Sequence, residues 1–336
     1  MNTEKLYISR CLQLARLGAY YVAPNPMVGA VLVNNNTILG EGWHEQYGSA
    51  HAEPNCIRHA EEAHPEGIDY KHSTLYVSLE PCSHYGKTPP CAELIIRKGI
   101  GRVVVGTLDP NPQVAGRGVK MMREAGIEVL VGVLEEECRL LNKRFFCLQE
   151  KHRPYVVLKW AETADGYIDF RREAKGERRE ESTPLVISTP LMKHLVHQQR
   201  AENMAIMVGT RTALLDNPRL LTTRWSGRNP IRITLDRHGV LPQDSKIFSP
   251  EAPTIVYREN TDWQFILQDL AQRNIHSVLV EGGTCLLQHI LDSGIYDEVH
   301  IEVGNQQIGD GVKAPHYIRT TCPIMLDTHR VYIEKR

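Results

Sequence analysis

Twice along this chain, short β-rich runs alternate with stretches of helical periodicity, and a polar hinge separates the two series. The hinge is Gln149-Glu150-Lys151-His152-Arg153-Pro154, a stretch of alternating charge that ends in a residue unable to continue a helix. Before it, apolar spacing predicts helices at 6–17, 53–60, 92–98, 117–125 and 135–148. Strands are expected at 27–33, 38–42, 75–79, 102–106 and 127–131, the first two as a hairpin across Asn34-Asn35-Asn36. After it, strands are expected at 155–161, 204–208, 231–235, 277–281 and 297–303, with helices at 190–200, 262–274 and 284–292. Such alternation predicts an α/β fold in each half, with a largely parallel sheet covered on both faces. The 336 residues exceed what one hydrophobic core usually supports, so two domains are expected, 1–148 and 149–336. The charged run Arg171–Glu181 reads as a mobile surface loop.

The formal net charge of −1 provides no whole-protein basic field, so no nucleic-acid partner is expected. The first 21 residues carry no apolar run of signal-peptide length and read as an amphipathic helix, and no stretch approaches a membrane span. Eight cysteines are scattered without the density of a disulfide scaffold, which suits a reducing, cytoplasmic setting.

The chemistry concentrates at His51-Ala52-Glu53, where a helix should open, and at Pro81-Cys82, directly after a strand. Cys91 follows after eight residues, before the next helix. One imidazole and two thiolates suit a tetrahedral zinc ion with one position left open. That position can hold a water of lowered pKa, so the site reads as catalytic. Glu53, two residues past the His, can take the water's proton and pass it to a leaving ammonia. The dipole at a helix N-terminus favours thiolates. Taken singly, a surface His and two buried Cys are unremarkable; their placement at element boundaries carries the zinc assignment.

The His-x-Glu and Pro-Cys pattern resembles the cytidine-deaminase superfamily, in which Pro-Cys-x-x-Cys is usual. The long spacer Ser83–Pro90 departs from that and matches one branch. Pro24-Asn25-Pro26-Met27-Val28-Gly29, Gly42-Trp43-His44, Glu80-Pro81-Cys82-Ser83-His84, Lys87-Thr88-Pro89-Pro90-Cys91 and Asp109-Pro110-Asn111-Pro112 look like the bacterial bifunctional deaminase/reductase family of riboflavin biosynthesis. The resemblance implies a three-layer αβα deaminase domain that removes the 2-amino group of a diaminopyrimidinone ribosylamino phosphate. It implies substrate contacts from Asn25, His44, His84, Lys87 and Asn111. Asn25 can offer donor and acceptor to a pyrimidine edge, and the others suit ribose and phosphate.

The second half has no Gly-x-Gly-x-x-Gly after a strand, so a Rossmann fingerprint is absent. Its best phosphate candidate is the Glu281-Gly282-Gly283-Thr284 turn between a strand and a helix, a weak signal alone. The resemblance continues through Leu158-Lys159-Trp160-Ala161, Thr163-Ala164-Asp165-Gly166, Val208-Gly209-Thr210-Arg211-Thr212, Asp216-Asn217-Pro218, Leu221-Thr222-Thr223-Arg224 and Glu281-Gly282-Gly283. It implies a dihydrofolate-reductase-like domain that uses NADPH to reduce the ribosyl group to ribityl. Ala161, Thr212, Asp216, Gly283 and Thr284 would meet the cofactor. Arg200, Leu221, Arg224 and Glu281 would meet substrate, with the arginines on phosphate. Thr212 and Asp216 also suit plain helix or turn capping. Two positions depart from the family: Pro184 stands where a substrate-contacting Ser is usual, and Val186 where a cofactor-contacting Trp is usual. An extra residue also appears within Asn217–Leu221.

The expected partners are therefore phosphorylated pyrimidines and copies of the chain, as a dimer or tetramer. Two other readings stay open at this point. One is a deaminase whose second domain only binds ligand or holds an oligomer. The other is a nucleic-acid deaminase using the same zinc chemistry, which the near-neutral charge disfavours.

Overall fold

The computed structural model describes residues 3–85, 89–111, 115–170 and 184–336. Lys87, Pro112 and the charged run 171–181 lie outside the described residues. The chain divides into two compact units, Met1–His152 and Arg153–Arg336. No helix among the described residues is long and apolar enough to cross a membrane.

The first unit runs α1 (Thr3–Ala15), β1 (Gly29–Asn34), β2 (Thr37–Trp43), α2 (Ala52–Ala63), β3 (Thr74–Leu79), α3 (Cys91–Lys98), β4 (Arg102–Thr107), α4 (Arg117–Glu124), β5 (Glu128–Val131), α5 (Glu135–Leu141) and α6 (Lys143–Lys151). Its sheet has the order β2-β1-β3-β4-β5. The β3-β4-β5 part is parallel, as expected, but β1 pairs antiparallel with both β2 and β3, so this sheet is mixed. The hairpin turn explains the antiparallel pair: Asn35 and Asn36 both take positive φ, which asparagine tolerates.

Strand periodicity of two sorts this sheet's side chains onto two covered faces. Ala30, Leu32, Leu75, Val77, Val103 and Val105 pack under α2, α3 and α4. Val31, Val33, Tyr76 and Val104 pack against α1 and Cys138 of α5. The layers are therefore αβα.

The expected helix 135–148 is in fact two helices. Asn142 breaks it, because its side chain is needed elsewhere. Its Oδ1 accepts Met27 N at 2.8 Å and its Nδ2 donates to Met27 O at 2.8 Å, pinning the loop that carries Asn25. Nor does the polar hinge begin at 149, since α6 continues through Lys151 and ends where His152 turns left-handed at φ 53°. The charges there lie on a helix surface before they enter a connection.

The second unit contains β6 (Tyr155–Glu162), β7 (Tyr167–Asp169), α7 (Pro190–Glu202), β8 (Ala205–Val208), α8 (Thr210–Asp216), β9 (Ile231–Leu235), β10 (Thr254–Tyr257), α9 (Trp263–Gln272), β11 (Ser277–Glu281), α10 (Thr284–Ser293), β12 (Glu298–Val303), β13 (Val312–Lys313), β14 (Ile324–Leu326) and β15 (His329–Lys335). Eight strands form one sheet in the order β10-β9-β8-β11-β6-β12-β15-β14, parallel from β10 to β12 and antiparallel at β15 and β14. Sequence periodicity missed β7, α8, β10, β13, β14 and β15. All but β15 are short, and β15 interleaves charge with apolar residues.

One face of this sheet is apolar. Val156, Leu158, Trp160, Met207, Val278, Val280, Val299 and Ile301 pack against α9 and α10. The opposite face is polar at its centre. Glu281 on β11 registers with Lys159 on β6, which registers with His300 on β12. Ala161 and Glu302 form the next row. Alternation thus puts charge on one side of the sheet and core on the other.

Candidate active site

In the first unit, the end of β3 and the starts of α2 and α3 converge. Two glycines permit the approach. A Cβ on Gly42 would stand 2.3 Å from Cys56 N and 2.6 Å from Ala52 O, so only glycine lets α2 press onto β2. A Cβ on Gly118 would stand 2.1 Å from Pro81 O, beside the metal loop.

His51, Cys82 and Cys91 come together as expected. Their ligand atoms lie within 4.8 Å of one another. His51 Nδ1 is 3.7 Å from Cys82 Sγ and 3.4 Å from Cys91 Sγ. Tetrahedral zinc with ordinary Zn–N and Zn–S bonds requires N···S separations of about 3.6 Å, so the donor set fits the ion in identity and spacing. Cys91 N donates to Cys82 Sγ at 3.3 Å, which favours the thiolate. Hydrogen bonding from Cys91 and His51 draws the Cys82 thiol down, while its bond to the thiol lifts His51 to about 9. A dication there would displace these shared protons and leave both sulfurs as thiolates.

Glu53 sits in the first turn of α2 and is 3% exposed. Burial lifts its carboxyl to about 7, against the pull of His51. A carboxyl poised there can accept and return a proton near neutrality.

Asn25 and His44 also join this site. Asn25 Nδ2 lies 3.0 Å from His44 Nε2, and His44 Nδ1 lies 2.9 Å from Ala50 O. A carbonyl only accepts, so Nδ1 carries the proton and Nε2 receives the Asn25 amide. Burial lowers the His44 pKa, so this ring orients Asn25 and offers no charge to a phosphate. Its ring centroid is 5.4 Å from that of His51. His84 is exposed on the spacer, near enough to Asp109 to act on its carboxyl. Asn111 is fixed by an Asx turn, its N–H donating to Asp109 Oδ1 at 2.8 Å.

Sequence reasoning quoted Glu80 without giving it work. It is buried, and it accepts three backbone N–H groups: Asp109 at 3.2 Å, Gly116 at 2.9 Å and Val119 at 3.2 Å. One carboxylate therefore ties the Cys82 loop to the Asn111 segment. A charged residue directly after an apolar strand was the available signal.

The second unit carries a cleft of about 860 Å³ over the C-terminal ends of its parallel strands. Ala161, Arg200, Thr212, Asp216, Glu281, Gly283 and Thr284 all line it. Thr212 Oγ1 accepts Gly283 N at 3.1 Å, holding the turn before α10. The volume, the open turn at a ten-residue helix and flanking Arg211 and Arg237 fit a phosphate-bearing dinucleotide.

Other expectations need correction. Leu221 is buried and Arg224 is exposed on its loop, and neither is among the cleft's lining residues. Leu221 acts through its carbonyl, which accepts Arg200 Nη1 at 3.3 Å. Arg200 is not free for a phosphate: it grips Glu281 with Nη2 at 2.8 Å and Nε at 3.3 Å. Burial pushes Glu281 up, but Arg200, with Lys159 beyond, holds its carboxyl below the ordinary range. Pro184 lines the cleft, whereas Val186 does not and is 61% exposed. Lys159 and Ser188 line it too, and sequence reasoning gave neither a role.

Residues 1–107 match the family described as the cytidine and deoxycytidylate deaminase zinc-binding region, and residues 154–319 match the RibD C-terminal domain. The riboflavin biosynthesis protein RibD of Aquifex aeolicus is 39% identical, over 92% of this chain and 89% of that protein. The RibD of Actinobacillus pleuropneumoniae is 37% identical, over 91% and 85%. A crystal structure of a deaminase/reductase from Thermotoga maritima superimposes with TM-score 0.84 at 36% identity, covering 99% of this chain and 98% of that one. RibD of Acinetobacter baumannii gives 0.85 at 30%, covering 98% of each. A zinc-type deaminase site in the first unit and a cofactor-sized cleft in the second agree with these matches, and the chain belongs to the RibD family of bifunctional deaminase/reductases in riboflavin biosynthesis.

Proposed function

We propose that the first unit hydrolyses the 2-amino group of a 2,5-diamino-6-ribosylaminopyrimidinone 5′-phosphate. The second then reduces the ribosyl group of the resulting aminouracil to ribityl. The observation that carries this is the convergence of His51 Nδ1 and two cysteine sulfurs beside the buried Glu53. His51, Cys82 and Cys91 would hold zinc, which would make water nucleophilic at neutral pH. Glu53 accepts a proton from the attacking water as a new C–O bond forms at ring carbon 2. Glu53 then returns the proton to the exocyclic nitrogen as the C–N bond breaks and ammonia leaves. Asn25, aligned by His44, reads the pyrimidine edge; Asn111, His84 and Lys87 serve the ribose phosphate.

In the second unit, Ala161, Thr212, Asp216 and the Gly283–Thr284 turn would hold NADPH, which would supply the hydride for reduction at carbon 1 of the opened ribosyl imine. Reduction also needs a proton at the imine nitrogen. Lys159, a primary ammonium in the cleft lining, provides it by breaking one Nζ–H bond. The Arg200–Glu281 pair positions substrate hydroxyls.

The same reading places the enzyme in the cytoplasm, which eight cysteines outside any disulfide suit. It also makes the enzyme a homo-oligomer. Ile324 and Met325, exposed at 52% and 61% on edge strand β14, support a partner copy there.

The test uses purified zinc-loaded chain, the diaminopyrimidine substrate and NADPH. Ammonia release should come first, with NADPH absorbance falling only as deaminated product accumulates. Ammonia release without any NADPH loss would remove the reductase half, and no ammonia at all would remove the deaminase half.

A further inference from the structure

His197 is a half-buried imidazole on α7 with no part in the chemistry above. It stands one turn before Arg200, on the same side of the helix. Its Nδ1 lies 3.0 Å from Thr223 N. A backbone N–H only donates, so Nδ1 accepts and the ring's proton sits on Nε2. Two residues before Thr223, the Leu221 carbonyl accepts Arg200 Nη1 at 3.3 Å. Helix α7 therefore takes hold of this segment twice, once at a carbonyl and once at an N–H. Between those two points Thr222 N donates to Asn229 Oδ1 at 2.9 Å, a bond within the same loop.

The segment leads directly out of the cleft wall. Leu220 lines the cleft, as do Arg200 and Glu281. Arg200 gives Nη2 and Nε to Glu281 and Nη1 to the Leu221 carbonyl, so carboxylate and carbonyl grip the guanidinium from two sides. If the segment drifts, Nη1 loses its partner and the long side chain regains freedom to turn.

We infer that His197 is a positioning residue for the reduction: its Nδ1 latches the Leu221–Thr223 segment onto α7 and so keeps the Arg200–Glu281 pair set for the substrate's hydroxyls. This rests on the reading of that pair as a substrate contact. His197 acts only through the backbone of the segment.

The latch needs a neutral ring. A proton on Nδ1 would face the Thr223 N–H donor to donor, and the contact would open. Burial lowers the His197 pKa, as do the charge of Arg200 from α7, that of Arg224 from the loop, and His194 on the preceding turn; Glu281 on β11 pulls the other way. Arg200 and Glu281 are paired with each other, which cancels much of their effect. The ring is thus neutral near pH 7, and the latch opens only as pH falls below the ordinary imidazole value of 6.5.

The test is His197→Phe against His197→Asn in the full zinc-loaded chain, with NADPH oxidation followed on the deaminated substrate. Phenylalanine keeps a ring and removes the acceptor; asparagine keeps an acceptor near Nδ1 and does not titrate. In His197→Phe, KM for the substrate should rise about 2- to 10-fold at neutral pH, the worth of one hydrogen bond, with kcat nearly unchanged. His197→Asn should bring KM back. Wild-type KM should climb in acid, and that of His197→Asn should climb less. Exchange of the Thr223 amide with deuterated solvent, read by mass spectrometry on ligand-free protein, should quicken in His197→Phe and return in His197→Asn. The Kd for NADPH, read from nicotinamide fluorescence, and the deaminase rate should not move.

An unmoved KM in His197→Phe overturns the inference, even if amide exchange quickens. So does an equal defect in both variants, because the ring and not its acceptor would then be the cause. His197→Leu carries the same comparison if the phenyl ring prevents folding. Arg200→Met separates the inference from its premise. If that variant keeps the wild-type KM, the reading of the Arg200–Glu281 pair is wrong. If Arg200→Met raises KM while His197→Phe does not, only the role of His197 is wrong.

Discussion

Replacing Glu80 by glutamine should loosen the deaminase site without touching a ligand of the metal. The wild-type carboxylate uses both oxygens, Oε2 for Asp109 N and Gly116 N and Oε1 for Val119 N. A glutamine amide has one oxygen. If it keeps the Oε2 pair, its NH2 group faces the Val119 N–H, and that donor is stranded in a buried site. Losing one bond to a charged acceptor costs about 1.5–3 kcal/mol. The two surviving bonds weaken because their acceptor is now neutral. The total is about 2–4 kcal/mol, which for a unit of this size lowers the melting temperature by about 4–16 °C. Scanning calorimetry of the zinc-loaded chain measures this directly, in the transition that also releases zinc. Because Glu80 fixes the Asn111 segment, KM for the pyrimidine should rise while zinc stays bound at one ion per chain. A variant that melts within about 1 °C of wild type, with unchanged KM, would show that this carboxylate does not hold the two loops together.

Three further outcomes are expected. Glu53→Gln should abolish ammonia release with zinc content unchanged, since all three ligands remain; turnover at the wild-type rate would refute its role as proton carrier. Cys82→Ala should lose zinc, measured by metal analysis, and destabilise the first unit, because structural metal binding is coupled to folding; full zinc occupancy in that variant would contradict the ligand assignment. The third concerns His276, whose pKa burial drives from 6.5 to about 4. The unfolded chain takes up that proton first, so stability is whole above about pH 6.5 and is lost as pH falls toward 4, by roughly 3 kcal/mol. Urea unfolding of the second unit at pH 7 and pH 5 should show about 2 kcal/mol of this loss in wild type and a smaller one in His276→Gln; equal losses would assign the acid sensitivity elsewhere.

Local chemistry made much of this protein legible in one dimension. His51, Cys82 and Cys91 stand at element boundaries, where a thiolate or imidazole can face a metal and where period-two and helical patterns change over. Strand cores such as Val103–Val105 and Val278–Val280 declared themselves because burial on both faces requires continuous apolar runs. The turn before α10 was visible as a glycine pair between two such patterns. What the sequence could not supply was partnership between distant residues. Asn142 splits a helix because Met27 needs its amide, 115 positions away. Glu80 gathers three N–H groups from a later segment, and His44 spends its proton on Ala50 and so turns from a candidate phosphate group into a clamp for Asn25. Arg200 was expected to be free for phosphate, yet sheet register sets Glu281 within its reach. The same register lays Lys159 beside Glu302, 143 residues further on, although each looks alone like an ordinary charged strand residue. Sequence fixes which groups exist and which face of an element they share. Only the tertiary structure decides which charges meet in a buried place, where the low dielectric gives each meeting its consequence.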